Sequence, residues 1–143
     1  MITASRYHDF SAGHKVTGHE NKCAHLHGHN YRVHFTLASA GSIPLDLIGR
    51  VIDFSCIKEL LCEWLEENWD HKFLICINDP LAEALTDLVP DDIVMTNFNP
   101  TAENMAQYLV DVVAPKQLAK TCVELVKCEI EETRKCSVTY EAK

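Results

Sequence analysis

The sequence predicts an α+β domain in which a four-stranded antiparallel sheet carries two helices on one face. Two observations carry this prediction. Near both ends of the chain, apolar and polar residues alternate with the period of half-buried strands. Two segments between them repeat apolar residues every three to four positions, as amphipathic helices do. The order strand, strand, helix, helix, strand, strand is typical of an antiparallel sheet with its helices segregated on one face.

The first two strands are predicted at residues 2–10 and 31–39. The first leads into His14, which we expect at or near its end, and a polar loop with Gly18 follows. The second strand alternates from Tyr31 onward and is turned by residues 40–42. Residues 51–54 form a short extended piece before the first helix.

Helix signals mark the centre of the chain. Ser55 can cap the first helix, whose apolar stripe runs to Leu65, and Asn68 closes it. Thr101 caps the second helix, and Pro115 ends it. Between them we expect a short helix within residues 77–88 and a short strand at residues 93–98.

The last two strands are predicted as a hairpin at residues 122–131 and 136–140. Alternation in the first of them places four residues on one face: Cys122, Val126, Cys128 and Ile130.

Length and composition predict one domain, residues 1–143, with a core of its own. No apolar run approaches the ~18 residues that span a bilayer, and no secretory signal is present, so we expect a cytoplasmic protein without a membrane partner. The net charge of −8 argues against nucleic acid as a partner. The seven scattered cysteines form no Cys-x-x-Cys pair, which predicts reduced thiols, most of them in the core.

Histidines cluster around the start of the second strand. His27 and His29 alternate on one strand face, and His14 is the best candidate for a third ligand from another segment, so we expect Zn²⁺ there. Two alternatives remain for Cys23, four residues before His27. It either completes a closed structural zinc site, or it stays free as a base beside an open three-histidine site.

Asp70 and His71 are adjacent, which is incidental in most proteins. A histidine with a carboxylate partner can nevertheless shuttle protons, because the carboxylate raises its pKa.

Taken together, these residues resemble the family of 6-pyruvoyl-tetrahydropterin and 6-carboxy-tetrahydropterin synthases over nearly the whole chain. The spacing of Cys23 from the His27-Gly28-His29 motif resembles the bacterial branch that makes 6-carboxy-tetrahydropterin for queuosine and other deazapurines. The motifs that carry the resemblance are Phe10-Ser11-Ala12-Gly13-His14, Cys23 through Tyr31, Ile52-Asp53-Phe54, Asp70-His71, Asn99-Pro100-Thr101-Ala102-Glu103-Asn104, and Glu132-Thr133 followed by Tyr140.

The resemblance implies a zinc-dependent lyase that acts on 7,8-dihydroneopterin triphosphate. It implies that His14, His27 and His29 bind zinc and that Cys23 is the general base. Further implied roles are a second proton-transfer pair, Asp70 and His71, a carboxylate that holds the pterin ring, Glu132, and two pocket residues, Thr101 and Glu103. Triphosphate elimination to 6-pyruvoyl-tetrahydropterin and a non-catalytic structural zinc module are the alternatives.

The resemblance also implies the tunnelling fold, in which subunit sheets join into a barrel and trimers pair into a homohexamer. Two features depart from the compact family pattern. The segment between His71 and Asn99 is longer, with extra residues around positions 79–92, and His25 lies inside the histidine motif.

Overall fold

A computed structural model describes all 143 residues and contains one six-stranded sheet. The α+β class is as predicted, but the prediction of four strands was wrong. Two short strands, β3 and β4, extend the sheet beside β1 in parallel orientation, in the order β4-β3-β1-β2-β5-β6. The strands are β1 Ala4–His14, β2 His27–Ser39, β3 Phe73–Cys76, β4 Ile93–Thr96, β5 Val123–Thr133 and β6 Cys136–Glu141.

Two long helices and one short helix connect the strands. Helix α1 spans residues 54–68 and helix α3 spans residues 102–117, and each contains one wider, π-type turn, Lys58–Cys62 and Leu109–Val113. The short helix α2, Ala82–Leu88, lies in the region where sequence predicted one. A single 3₁₀ turn, Lys22–Ala24, precedes β2.

Helix ends agree with the sequence signals only in part. Thr101 caps α3 as predicted, because its side chain accepts a hydrogen bond from the Asn104 backbone N–H. For α1, the cap is Asp53 and not Ser55, because the Asp53 carboxylate accepts from the Ser55 N–H at 2.8 Å. Pro115 does not end α3, which continues to Gln117. The missing N–H of proline is tolerated there because the π-type turn directly precedes it.

The main core lies between the helices and one face of the sheet. In the β1–β2 ladder Phe10 pairs with Tyr31 and His14 pairs with His27, so alternate residues of both strands share that face. The same face of the sheet therefore carries the apolar core and, at one end, the histidines. The most buried residues of the core include Tyr31, Val33, Phe35, Cys128 and Ile130 from strands, and Ile57, Leu61, Leu65, Met105 and Leu109 from helices.

A β-bulge changes the phase of β5. Thr36 pairs with Lys127 but Leu37 pairs with Leu125, so Val126 is an extra residue on its strand. The prediction that Cys122 and Val126 share a face with Cys128 was therefore wrong. Before the bulge Val123 and Leu125 face the core, and after it Cys128 and Ile130 do so.

The cysteines are less buried than predicted. Only Cys62 and Cys128 are buried, whereas Cys122 and Cys136 are exposed and the other three are half-buried. None of the helices combines the length and the apolar character that crossing a membrane requires.

Candidate metal centre and adjoining cleft

His14, His27 and His29 converge at the end of the sheet where β1 finishes and β2 begins. His14 is paired with His27, and His29 is paired with Ala12, so the three side chains share the helix-facing side. The Nε2 atoms of His14 and His27 lie 2.9 Å apart, and the ring centroids of the three pairs are 4.5–5.0 Å apart. The predicted shared face of His27 and His29 is thus confirmed.

Backbone carbonyls orient two of the imidazoles. The Nδ1 atom of His14 lies 2.7 Å from the Pro100 carbonyl, and that of His27 lies 2.7 Å from the His25 carbonyl. A carbonyl accepts hydrogen bonds only, so Nδ1 carries the proton in both rings and Nε2 of the neutral ring is bare. Two bare nitrogens 2.9 Å apart repel each other unless a cation lies between them, and this arrangement is that of metal ligands.

Burial favours the neutral forms of His14 and His29. Loss of hydration lowers the pKa of His14 to about 4, and the hydrogen bond to Pro100 offsets only part of that effect. Burial also lowers the pKa of His29, although the nearby carboxylate of Glu132 opposes the shift. Neutral imidazole is the form that binds metal, so the site is ready to accept a cation at neutral pH.

Glu132, near the end of β5, brings a carboxylate to the three histidines. Its Oε1 lies 2.9 Å from Nε2 of His29 and 4.0 Å from Nε2 of His14. The four donor atoms all lie within 4.8 Å of one another. His29 Nε2 is buried and has no hydrogen-bond partner, because the close contact with Glu132 lacks hydrogen-bond geometry. Three imidazoles and a carboxylate suit a divalent ion such as Zn²⁺, so the residues fit a metal.

Cys23 does not belong to this group of four. It lies half-buried on the 3₁₀ turn, and its carbonyl accepts a hydrogen bond from the Val16 N–H. Its charge nevertheless acts on the site. Burial raises the pKa of Tyr31, and negative charge at Glu132 and Cys23 adds to that effect. The closed site of one cysteine and three histidines is therefore not formed, and Cys23 lies within electrostatic reach of Tyr31, whose hydroxyl is 3.2 Å from His14.

Asp70 and His71 are in contact with each other and with the edge of β1. Oδ2 of Asp70 lies 2.9 Å from Nδ1 of His71, and its Oδ1 accepts a hydrogen bond from the Ser11 N–H at 3.0 Å. The backbone N–H of His71 donates to the Ser11 carbonyl at 2.7 Å. Burial tends to raise the pKa of Asp70, but the hydrogen bonds from Ser11 and His71 outweigh it and lower that pKa.

An open cleft of about 760 Å³ connects this pair to the metal group, since His29, Asp70, His71 and Glu132 all line it. The side chain of His71 is 80% exposed, so it can reach a molecule bound there. Cys23, Thr101 and Glu103 do not line the cleft. The hydroxyl of Thr101 is used in the helix cap, and Glu103 is exposed in the first turn of α3.

Sequence reasoning missed the residues that hold the loop after His14. Lys15 Nζ lies 2.8–2.9 Å from both carboxylate oxygens of Asp79, whose side chain is fully buried. Thr17 donates to the same carboxylate at 2.6 Å, and its backbone exchanges two hydrogen bonds with the Asn99 side chain. Asp79 lies in the segment that the family resemblance marked as longer, and that insertion was the only signal that could have pointed to it.

Fold and site together define the class of protein: an α+β protein with a candidate three-histidine metal centre at one end of its sheet. A family model described as 6-pyruvoyl tetrahydropterin synthase matches residues 3–143. The chain is 35% identical over 139 residues to the 6-carboxy-5,6,7,8-tetrahydropterin synthase of Rickettsia typhi, which covers 96% of this chain and 99% of that protein. The chain therefore belongs to the 6-pyruvoyl tetrahydropterin synthase family, a family of enzymes.

Solved structures show the same fold. An uncharacterized protein from Wolinella succinogenes superposes with a TM-score of 0.82 at 23% identity, covering 99% of this chain and 98% of that chain. The 6-pyruvoyl tetrahydropterin synthase of Caenorhabditis elegans gives a TM-score of 0.67 at 24% identity, covering 99% and 96%.

Proposed function

We propose that this protein is a lyase that converts 7,8-dihydroneopterin triphosphate and water into 6-carboxy-5,6,7,8-tetrahydropterin, acetaldehyde and triphosphate. The observation that carries the proposal is the full-length similarity to relatives that bear the name 6-carboxy-5,6,7,8-tetrahydropterin synthase. The convergence of three imidazole rings and a carboxylate beside a substrate-sized cleft supports it. The product would serve queuosine and related deazapurine synthesis in the cytoplasm.

His14, His27 and His29 are the residues that would hold Zn²⁺. Zn²⁺ held there would supply Lewis-acid chemistry, which would polarise substrate hydroxyl oxygens and lower their pKa. The protein contributes burial, which favours the neutral forms of His14 and His29, and the carbonyls of Pro100 and His25, which orient the rings of His14 and His27.

Cys23 is the proposed general base on the substrate side chain. The thiolate is the basic form of cysteine, and a cation held by the three histidines would favour it. Asp70 and His71 form the second proton-transfer pair. Asp70 accepts one hydrogen bond from the Ser11 backbone N–H and holds Nδ1 of His71, which leaves Nε2 of the exposed ring to exchange protons with a ligand in the cleft.

Glu132 is proposed to hold the pterin ring. A carboxylate can accept two parallel hydrogen bonds from the ring's 2-amino group and the neighbouring N–H, and charge-assisted pairs of this kind are strong. Thr101 and Glu103 are proposed to support the pocket from outside the cleft, since neither lines it. Because the Thr101 hydroxyl caps α3, its contribution is to fix the helix start beside Pro100.

We also propose the homohexamer with joined sheets. Along one edge of β1, only Gly13 and His14 pair with β3, and β6 forms an outer edge of the sheet. Unpaired edges of this length invite pairing with another chain. Native mass spectrometry should give the mass of six chains, and a monomer would contradict the assembly.

Turnover of 7,8-dihydroneopterin triphosphate by zinc-loaded protein tests the proposed reaction. We expect acetaldehyde and 6-carboxy-tetrahydropterin, with kcat at least about 100-fold lower in Cys23→Ala at matched zinc content. Cys56→Ala is the matched control, since Cys56 is also half-buried but lies on α1, outside the metal group and the cleft. Release of triphosphate with 6-pyruvoyl-tetrahydropterin would assign the pyruvoyl-forming reaction instead, and absence of turnover would refute both.

A further inference from the structure

The contact between Glu132 and His29 is the least explained feature of the metal group. Oε1 and Nε2 lie 2.9 Å apart without hydrogen-bond geometry, and Nε2 has no other partner. A negatively charged oxygen and a buried nitrogen at this distance need either a shared proton or a shared cation. The ring N–H direction of His29 does not point at the Glu132 oxygen, so a shared cation accounts for this contact better than a shared proton does.

The spacing of the four donors also favours a common ion. In a tetrahedral zinc site with bonds near 2.0–2.1 Å, donor atoms are separated by about 3.3 Å. Three of the six donor pairs are separated by 2.9, 2.9 and 4.0 Å, on both sides of that value, and all six lie within 4.8 Å. Three neutral imidazoles leave the two charges of the ion uncompensated, and the Glu132 carboxylate offsets one of them.

We propose that Glu132 is a fourth and releasable metal ligand, which closes the site in the resting protein and leaves the metal when a pterin ring binds. The release rests on the function proposed above. Two parallel hydrogen bonds to the ring use both oxygens of the Glu132 carboxylate. The carboxylate therefore cannot bind the metal while it holds the ring in this way. Recognition of the ring then opens the metal position that the substrate side chain needs.

This arrangement gives Glu132 a role that goes beyond a ring anchor. An open zinc position binds water and other small ligands. With Glu132 on the metal, that position is available only when a ring of the correct hydrogen-bonding pattern has drawn the carboxylate away. The metal would therefore be protected between turnovers, and substrate selection would begin at the ring.

Glu131→Gln is the matched control for Glu132→Gln. The two glutamates are adjacent on β5, but Glu131 lies on the opposite face, where it pairs with His34. Both substitutions remove one carboxylate charge from the same strand end. A general effect of charge or strand stability would thus appear in both variants.

The first measurement is Zn²⁺ affinity in competition with a chromogenic chelator, together with the visible spectrum of the Co²⁺-loaded protein. We expect Glu132→Gln to raise the dissociation constant at least about 10-fold and to change the Co²⁺ bands, with both unchanged in Glu131→Gln. Equal affinities and spectra in wild type and Glu132→Gln would overturn the proposal.

The second measurement adds 7,8-dihydropterin without a side chain, which offers the ring but no hydroxyl groups to the metal. The Co²⁺ bands of wild type should shift as the ring saturates the site, and those of Glu132→Gln should not. A wild-type spectrum that stays constant at saturation would refute the release. Turnover is scored separately: spectral changes without turnover would refute the proposed function alone, and turnover with unchanged spectra would refute the inference alone.

Discussion

His14 is the most buried ionisable residue of the metal group, with 1% of its surface exposed, and its burial makes the metal-free protein sensitive to acid. The unfolded chain takes up a proton at this residue near pH 6.5, whereas the folded chain resists protonation until about pH 4. The share of the free energy of unfolding that depends on neutral His14 is therefore complete above pH 6.5 and is lost as the pH falls towards 4. In that window the free energy of unfolding should fall by up to about 1.4 kcal/mol per pH unit.

Urea unfolding of chelator-treated protein between pH 7 and pH 4.5 measures this dependence. Because the carboxylates of the protein titrate in the same range, the comparison is with His14→Gln. In this variant the free energy of unfolding should depend less steeply on pH, by the amount that His14 contributes. An equal slope in both proteins would contradict the assignment.

Gly13 permits close packing between β1 and the start of β3. A Cβ atom at this position would lie 2.4 Å from Cδ2 of Phe73 and 3.3 Å from the His27 carbonyl. Gly13→Ala should therefore destabilise the fold by about 1–3 kcal/mol, because Phe73 must move away beside the histidines. Thermal unfolding measures the effect, and Gly41→Ala, where no atom lies within 4 Å, should be nearly neutral.

At the residue scale, the sequence was sufficient to predict that two of the histidines share a strand face, but it did not predict the groups that they contact. Alternation along β2 placed His27 and His29 on one face, since strand periodicity depends only on local backbone geometry. The carbonyls of Pro100 and His25 could not be predicted as partners, because every residue has a carbonyl and side-chain pattern does not mark it.

At the scale of elements, the Lys15–Asp79 ion pair fastens the loop after β1 to the segment before α2. Asp79→Asn should cost about 3 kcal/mol, because Lys15 then loses its charged partner in a largely buried site. Chemical denaturation measures it. The control is Asp9→Asn, which breaks an exposed pair with Arg32 and should cost less than about 1 kcal/mol. Equal losses would mean that Asp79 is no more than a surface charge.

Elements with long periodic stripes were predictable, and the short helix α2 and strand β4 were also predicted, but strand β3 was not. The stripes of α1 and α3 extend over several turns, so the helices were found with their approximate limits. Strand β3 has four residues, too few to show a period, and its pairing with β1 depends on residues 60 positions away. The cap at Asp53 was missed because Asp53 and Ser55 are both good capping residues, and only the backbone conformation selects one.

At the scale of the whole molecule, the metal group joins three strands, because its four members lie on β1, β2 and β5. An ion that binds only the folded chain should raise the free energy of unfolding. Free Zn²⁺ at 100 times its dissociation constant adds about 2.7 kcal/mol. The increase should disappear in His27→Ala, as followed by denaturation with zinc and with chelator, and a similar increase in that variant would place the stabilising ion elsewhere.

The distribution of the site along the chain limited its prediction. The residues around the cleft come from segments that are separated by 40 or more positions, such as His29, Asp70 and Glu132. Sequence spacing cannot show such proximity, and here the family resemblance named the residues while only the fold brought them together. Only the structure shows that Glu132 contacts the histidines directly and that Cys23 does not belong to their group.

The extra residue in β5 decides which of two neighbouring glutamates serves the metal group. Without Val126 as a bulge, the alternation set by Val123 and Leu125 would continue through residue 131, and Glu131 would face the histidines while Glu132 faced His34. Whether Val126 stays outside the alternation as a bulge or is included in it therefore decides which of the two glutamate side chains faces the histidines. Loss of the bulge at unchanged strand length would exchange Glu131 and Glu132, whereas deletion of Val126 would leave Glu132 on the histidine side.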